Sequence, residues 1–195
     1  VFNLKFSFTI LILFLFSILF LPKTIAQTEV MAWGNLTGIR VEGQLMEFET
    51  SLRVIGKDWS IISATGKEKQ PRPRYDRDGI TQTVNTDFGG IQFSEIVKEN
   101  GTGSAIVNLT AKAVKDTLLN GVYFCIELPE KYYSNATVRV NGSGKKQALS
   151  GLVSTAEKIR KLSAKSIIAE SEMRQLSITF DVSSSLIIRK EKNIR

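Results

Sequence analysis

The sequence contains no histidine and a single cysteine, Cys125. The first absence removes the commonest general base and the commonest metal ligand, so a Ser-His-Asp triad, a Cys-His dyad and a histidine-bound zinc site are all excluded. The second excludes an intrachain disulfide. Basic charge is not concentrated: the net +7 is scattered, with small clusters at 158–165 and 189–195 that no aromatic residues interleave. Nucleic-acid binding wants a concentrated basic stripe, and a solvated surface is the better account of this one. No internal repeat or low-complexity tract follows residue 26. What is present is ordinary for a globular chain: 195 residues, 43% hydrophobic and 23% charged, enough for one domain with a packed core.

The first 26 residues have the layout of a signal peptide. Lys5 supplies a positive start, residues 6–21 form an uncharged run rich in Phe, Leu and Ile, and small residues stand before a cleavage point after Ala26. That run is shorter than the roughly 20 residues that cross a bilayer core, so contact with a membrane is expected only through an uncleaved leader. No cysteine follows the cleavage point to carry a lipid anchor. The expected organisation is a leader over 1–26 and one domain over 27–195, secreted or periplasmic and truncated at its C-terminus.

The rest reads as strands and turns. Over 44–55, Met46, Phe48, Thr50, Leu52 and Val54 alternate with Glu47, Glu49, Ser51 and Arg53, the period-two signature of a half-buried strand. The pattern recurs over 91–97, over 105–113 with Val107, Leu109 and Ala111 inward, and over 122–128 with Val122, Phe124, Ile126 and Leu128 inward. It recurs again at Leu176, Ile178, Phe180 and Val182. Weaker strands are expected at 38–41, 59–64, 80–85, 137–140 and 186–188. Asn100-Gly101, Asn120-Gly121 and Asn141-Gly142 can each supply the two positive φ angles of a type I′ hairpin turn. One short helix is expected over 154–163, where Ile159 and Leu162 share a face and Ser154 with Glu157 forms a capping-box pattern. Segment 66–79, with Pro71 and Pro73, reads as an extended loop. Short strands cut by turn residues, without long alternating helices, predict an all-β fold, a two-sheet antiparallel β-sandwich.

Few residues could carry chemistry. Asp76-Arg77-Asp78-Gly79 resembles part of a calcium loop, but Arg74 stands where a carboxylate is wanted and no Glu follows at the required spacing. Turn chemistry with local Arg-to-Asp pairing is expected there, and no metal or cofactor. Glu47 and Glu49 are spaced like a retaining glycosidase pair, yet they lie on the polar face of a regular alternation, as does Glu127. They are read as solvated strand glutamates, and no catalytic residue is assigned. Cys125 has no histidine to lower its pKa and reads as structural. Trp33, Trp59 and Tyr75 are the candidates for stacking on a sugar ring, a flat apolar surface against which an aromatic face fits. Their alternative role is as core or edge anchors. Five sequons, at Asn35, Asn100, Asn108, Asn135 and Asn141, matter only in a host that glycosylates exported proteins.

The stretch MAWGNLTGIRVEGQLMEFETSLRV at 31–54, with GKDWS at 56–60 and RQLSITFD at 174–181, resembles the N-terminal β-sandwich module of large secreted bacterial glycoside hydrolases. The resemblance spans most of the chain from about residue 30 and contains no catalytic motif. It implies two-carboxylate hydrolysis on a separate barrel domain, and a barrel of about 250 residues exceeds this sequence, so no catalytic residue is carried over. The expected function is a non-catalytic accessory module of a carbohydrate-active enzyme, whose partners are polysaccharide or a catalytic domain of the same gene product. A self-standing polysaccharide hydrolase or lyase, with a carboxylate or a Lys and Tyr site, is one rival. A cell-surface adhesion or structural sandwich is the other.

Overall fold

The structure, a computed structural model, describes residues 27–66, 73–88, 90–142, 145–154 and 161–189. The leader expected at 1–26 lies outside the described residues. The fold is all-β. β1 (Thr28–Val30), β2 (Leu36–Val41) and β3 (Gln44–Glu47) form one sheet in that order. In a second sheet β4 (Glu49–Ile55) lies between β5 (Ile61–Ala64) and β10 (Gly121–Glu127). A third is the meander β6 (Arg74–Asp78), β7 (Thr81–Phe88), β8 (Ile91–Glu99) and β9 (Ala105–Ala113). The fourth runs β12 (Gln147–Ala148), β11 (Thr137–Val140), β13 (Lys161–Glu170), β14 (Gln175–Ile187). Every pairing between these strands is antiparallel.

Three apolar clusters hold the sheets together. Leu52 and Val54 of β4 meet Phe88, Ile91 and Phe93 of the meander, so those two sheets face one another, with Leu119 and Phe124 closing the cluster. Phe88 and Phe93 stack at 4.7 Å. Leu36, Phe48 and Val97 form a second cluster that seats the β1–β3 sheet on the same meander, joined by Ile126, Leu128 and Leu176. The third, built on Tyr133, Ala136, Val138, Leu152, Ala164, Ile167 and Ala169, lies under the fourth sheet, and Leu128 touches it as well.

The continuous strand expected over 44–55 is broken. At Phe48 the chain leaves the sheet of β2 and enters that of β10, while Phe48, Thr50, Leu52 and Val54 all remain buried as the alternation requires. Ser51 and Ile55 are buried too, because β4 is a central strand covered on both faces. Leu109 and Ala111, expected inward, are exposed: β9 is an edge strand, and only Ala105 and Val107 at its start reach a core cluster. Val122 is exposed at the start of another edge strand, β10. Val182 is exposed where a bulge between Ala164 and Ser166 leaves that part of β14 without a partner.

That bulge also explains a further departure. It shifts the period of β13 from Leu162 and Ala164 to Ile167 and Ala169, so the ten-residue strand has no unbroken alternation to read. The helix expected over 154–163 is not formed at its described ends: Ser154 bridges to Arg189 and residues 161–163 open β13, while 155–160 lie outside the described residues. The helix found, α1 (Glu130–Tyr133), follows Pro129, whose fixed φ of −58° suits a helix entrance. Segment 66–79 is not all loop, since β6 pairs along β7, as an edge strand after Pro73. Of the three Asn-Gly pairs only Asn141-Gly142 has both φ angles positive, 56° and 64°. Asn100-Gly101 lies in a wider loop closed by Asn100 N–H on the Ser104 carbonyl, and Gly121 is already in β10. The two-residue turn with both φ positive between β2 and β3 is Glu42-Gly43.

Leu52→Ala should cost about 2 to 5 kcal/mol of stability, as cavity-forming core changes do, whereas Leu109→Ala should cost about 0.5 kcal/mol. Urea unfolding of the two variants beside the wild type measures the difference.

Candidate functional site

β8 carries its chemistry on the inside. Ile91, Phe93, Glu95, Val97 and Glu99 alternate onto one face and all five are buried, with Glu95 4% exposed and Glu99 7%. Glu99 is satisfied, accepting from the Thr28 amide at 3.3 Å and the Thr28 hydroxyl at 3.2 Å, with the Arg77 guanidinium 3.6 Å away. Glu95 is not. Its Oε1 is buried without a hydrogen-bond partner, and the strand register sets it in a row with Tyr75, Val84 and Leu109, which offer no cation. Burial pushes its carboxyl up to about 7.

A loop covers this carboxyl. Residues 31–35 close the β1–β2 hairpin through Met31 N–H on the Asn35 carbonyl at 2.8 Å and Gly34 N–H on the Met31 carbonyl at 2.9 Å. The buried Gln82 amide donates to the Met31 carbonyl at 3.2 Å, Asn35 Nδ2 donates to Glu49 at 3.2 Å, and Leu36 N–H donates to the Thr50 hydroxyl at 2.9 Å. Gly34 sits at φ 101°, and a Cβ on it would lie 2.7 Å from Glu95 Oε2 and 3.6 Å from Val84 Cγ1. Only glycine allows both the backbone conformation and the approach.

The opposite face of the same sheet is solvated. Arg74, Asn85, Ser94 and Thr110 form one cross-strand row and Asp87, Gln92 and Lys112 the next, around a shallow depression of about 660 Å³. Two further rows hold Asp76, Thr83, Ile96 and Asn108, then Asp78, Thr81, Lys98 and Ile106. Asp76 and Asp78 thus stand on a strand, and Arg77 pairs with Glu99 rather than with a neighbouring aspartate. Among the described residues no group of three or more Cys, Asp or Glu is placed to hold a metal ion.

The three aromatic candidates do not converge. Tyr75 is 45% exposed on β6, at the rim of the Glu95 row. Trp33 is half-buried in the covering loop beside Gly34. Trp59 belongs elsewhere: half-buried in the β4–β5 turn at φ 67°, its ring is 6.2 Å from that of Tyr123 and 5.7 Å from the Arg189 guanidinium. Glu47 pairs with Lys131 at 2.6 Å, Glu49 accepts from Asn35, and Glu127 pairs with Arg53. Asn35, one of the sequons, is 3% exposed and closed to modification in the folded chain. Glu95 escaped the site reading although its spacing was visible, because 91, 93, 95, 97 and 99 form one strand face with two carboxylates on the apolar side.

No family model, curated protein or solved structure matches the chain.

Glu95 makes stability fall as pH rises. Its carboxyl ionises near 4.5 when unfolded and near 7 when folded, so the folded state binds the proton more tightly, and stability declines between those values and then levels off. The difference amounts to about 3 kcal/mol. Urea midpoints at pH 5 and pH 8 should show most of this loss in the wild type, and Glu95→Gln should remove most of the slope.

Proposed function

We propose that the chain is an exported, non-catalytic β-sandwich module of a carbohydrate-active enzyme, and that it holds polysaccharide against the solvated face of the β6–β9 sheet. The facing β6–β9 and β10-β4-β5 sheets would form the body of that sandwich. The observation that carries the reading is the composition of the outer rows. Arg74, Lys98 and Lys112 are balanced there by Asp76, Asp78 and Asp87, and the remaining positions are mostly amides and hydroxyls. A neutral, hydroxyl-rich polymer needs this mixture of donors and acceptors, and planar guanidinium, amide and carboxylate groups can each engage adjacent hydroxyls. Strands lie about 4.8 Å apart, a spacing that suits a chain of sugar rings crossing them. Tyr75, although exposed at the sheet edge, belongs to the Glu95 row on the other face of this sheet and adds no ring to the outer rows.

Catalysis fits less well. Glycoside cleavage uses two carboxyls roughly 5 to 9.5 Å apart across the scissile bond. Glu95 is sealed beneath the 31–35 loop, and Glu99, four residues along the same strand, is about 13 Å away by backbone rise and already engaged with Thr28 and Arg77. Export accords with the leader pattern of 1–26, and N-terminal sequencing of protein recovered outside the cytoplasm should begin near Gln27.

The test is retention of the purified chain in gels containing neutral polysaccharides, with reducing-end release assayed in parallel. Arg74→Ala and Asn85→Ala should each weaken retention roughly fivefold, the loss of about one hydrogen bond. No reducing ends should appear. Absence of retention on every polysaccharide would shift the assignment to adhesion, and turnover abolished by Glu95→Gln would shift it to an enzyme.

A further inference from the structure

Of the two buried carboxyls on the inner face of β8, Glu99 is answered, whereas Glu95 has an orphan oxygen beneath a hairpin loop whose own Asn35 Oδ1 is buried without a partner as well. We propose that the 31–35 loop is a proton-gated latch, shut over Glu95 while that carboxyl is neutral and released from it when the carboxyl ionises.

Geometry supplies both halves of the device. The closed state depends on contact: the Gly34 backbone sits against Glu95 Oε2 with no room for a side chain between them. A carboxyl held there as an acid is uncharged, whereas a carboxylate there is desolvated with no compensating charge. The groups on the surrounding elements do not answer it. On β6 the same face holds Tyr75 and Arg77, and Arg77 is taken by Glu99. β7 offers Gln82, whose amide is committed to the Met31 carbonyl, and Val84. β9 offers Leu109, and the covering loop offers Trp33, Gly34 and Asn35, none of them charged. From β4 comes Glu49, a second anion, bonded to Asn35. Ionisation therefore raises the energy of the closed state, and hydration of the carboxylate lowers that of an open one.

Opening leaves the meander intact. The loop joins β1 to β2, and its attachments to the rest of the molecule include the side-chain bonds of Gln82 to Val30 and Met31 and of Asn35 to Glu49, with Leu36 bonded to Thr50 where β2 begins. No ladder between β7, β8 and β9 has to part. If the open loop returns Glu95 to its ordinary ionisation, the opening constant rises with pH and gains roughly 50- to 100-fold between pH 5 and pH 8.

The device stands apart from the carbohydrate reading, and its test contains no glycan. Amide hydrogen exchange of the full chain is followed at pH 5 and pH 8, corrected for the intrinsic pH dependence, in zero and low urea. The amides of Met31, Gly34 and Leu36, each hydrogen-bonded in the closed loop, report the latch, and those of Val54 and Phe93 report the core. The expected result is a 50- to 100-fold loss of protection at the latch amides at pH 8, insensitive to low urea and absent from Glu95→Gln. Equal protection at both pH values would overturn the proposal. So would loss of latch and core protection together with one urea slope, since that is global unfolding, or a loss that persists in Glu95→Gln. Should that variant fail to fold, the urea slopes of the wild-type amides still decide between latch and global opening.

Discussion

The depth at which the 31–35 loop lies over the meander depends on the approach of the Gly34 backbone to the Glu95 carboxyl. A Cβ at residue 34 would stand 2.7 Å from Glu95 Oε2, so the loop reaches its depth only because glycine is there. Immediately after it, Asn35 and Leu36 turn to the other layer, bonding to Glu49 and Thr50 at the start of β4. Leu36, 2% exposed, then packs with Phe48 and Val97. One corner thus joins three sheets, with polar contacts setting its depth and an apolar cluster supplying the burial that holds it.

Two glutamates on one strand face show how much environment decides. Glu99 and Glu95 are similarly buried, four residues apart on β8. Glu99 has a hydroxyl, a backbone amide and a guanidinium within reach, so its burial is compensated. Glu95 has desolvation and nothing to offset it. Removing a charge from water without a partner is among the costlier things a fold can do, and the usual outcome is that the group takes up a proton instead. The fold therefore holds a carboxylic acid in a place where a carboxylate would be out of keeping with every neighbour.

Much of this architecture is written in period two. β4, β8, β10 and β14 follow from alternation in the sequence, and the buried set Phe48, Leu52, Val54, Ile91, Phe93 and Val97 follows with them. Alternation fails where the backbone departs from a regular strand. The bulge at Lys165 conceals β13, and Asn141, whose Oδ1 accepts from the Lys165 amide at 2.6 Å, fills that bulge from the Asn141-Gly142 turn, a contact that no local pattern announces. Alternation also says which way a side chain points without saying whether anything covers it, which is why Leu109 faces the row of Glu95 and is nonetheless exposed. The site was half legible: the position of Glu95 among Ile91, Phe93 and Val97 places it inward, but its cover comes from residue 34, some sixty positions away, and only tertiary structure joins them.

The same strand period keeps the two faces of the meander independent. Ser94 and Ile96 flank Glu95 in sequence and point to the opposite side, so the outer rows and the buried carboxyl share a backbone and no side-chain contact follows from the register. β8 is paired along its whole length with β9 and over eight residues with β7, which fixes its position whatever the charge on Glu95. The compliant element is the 31–35 loop, which belongs to none of the ladders of the meander and lies on the far side of the carboxyl from the sheet. A charge appearing on Glu95 is therefore relieved by movement of the loop, and the rows built on Arg74, Asn85, Ser94 and Thr110 keep their geometry while it moves.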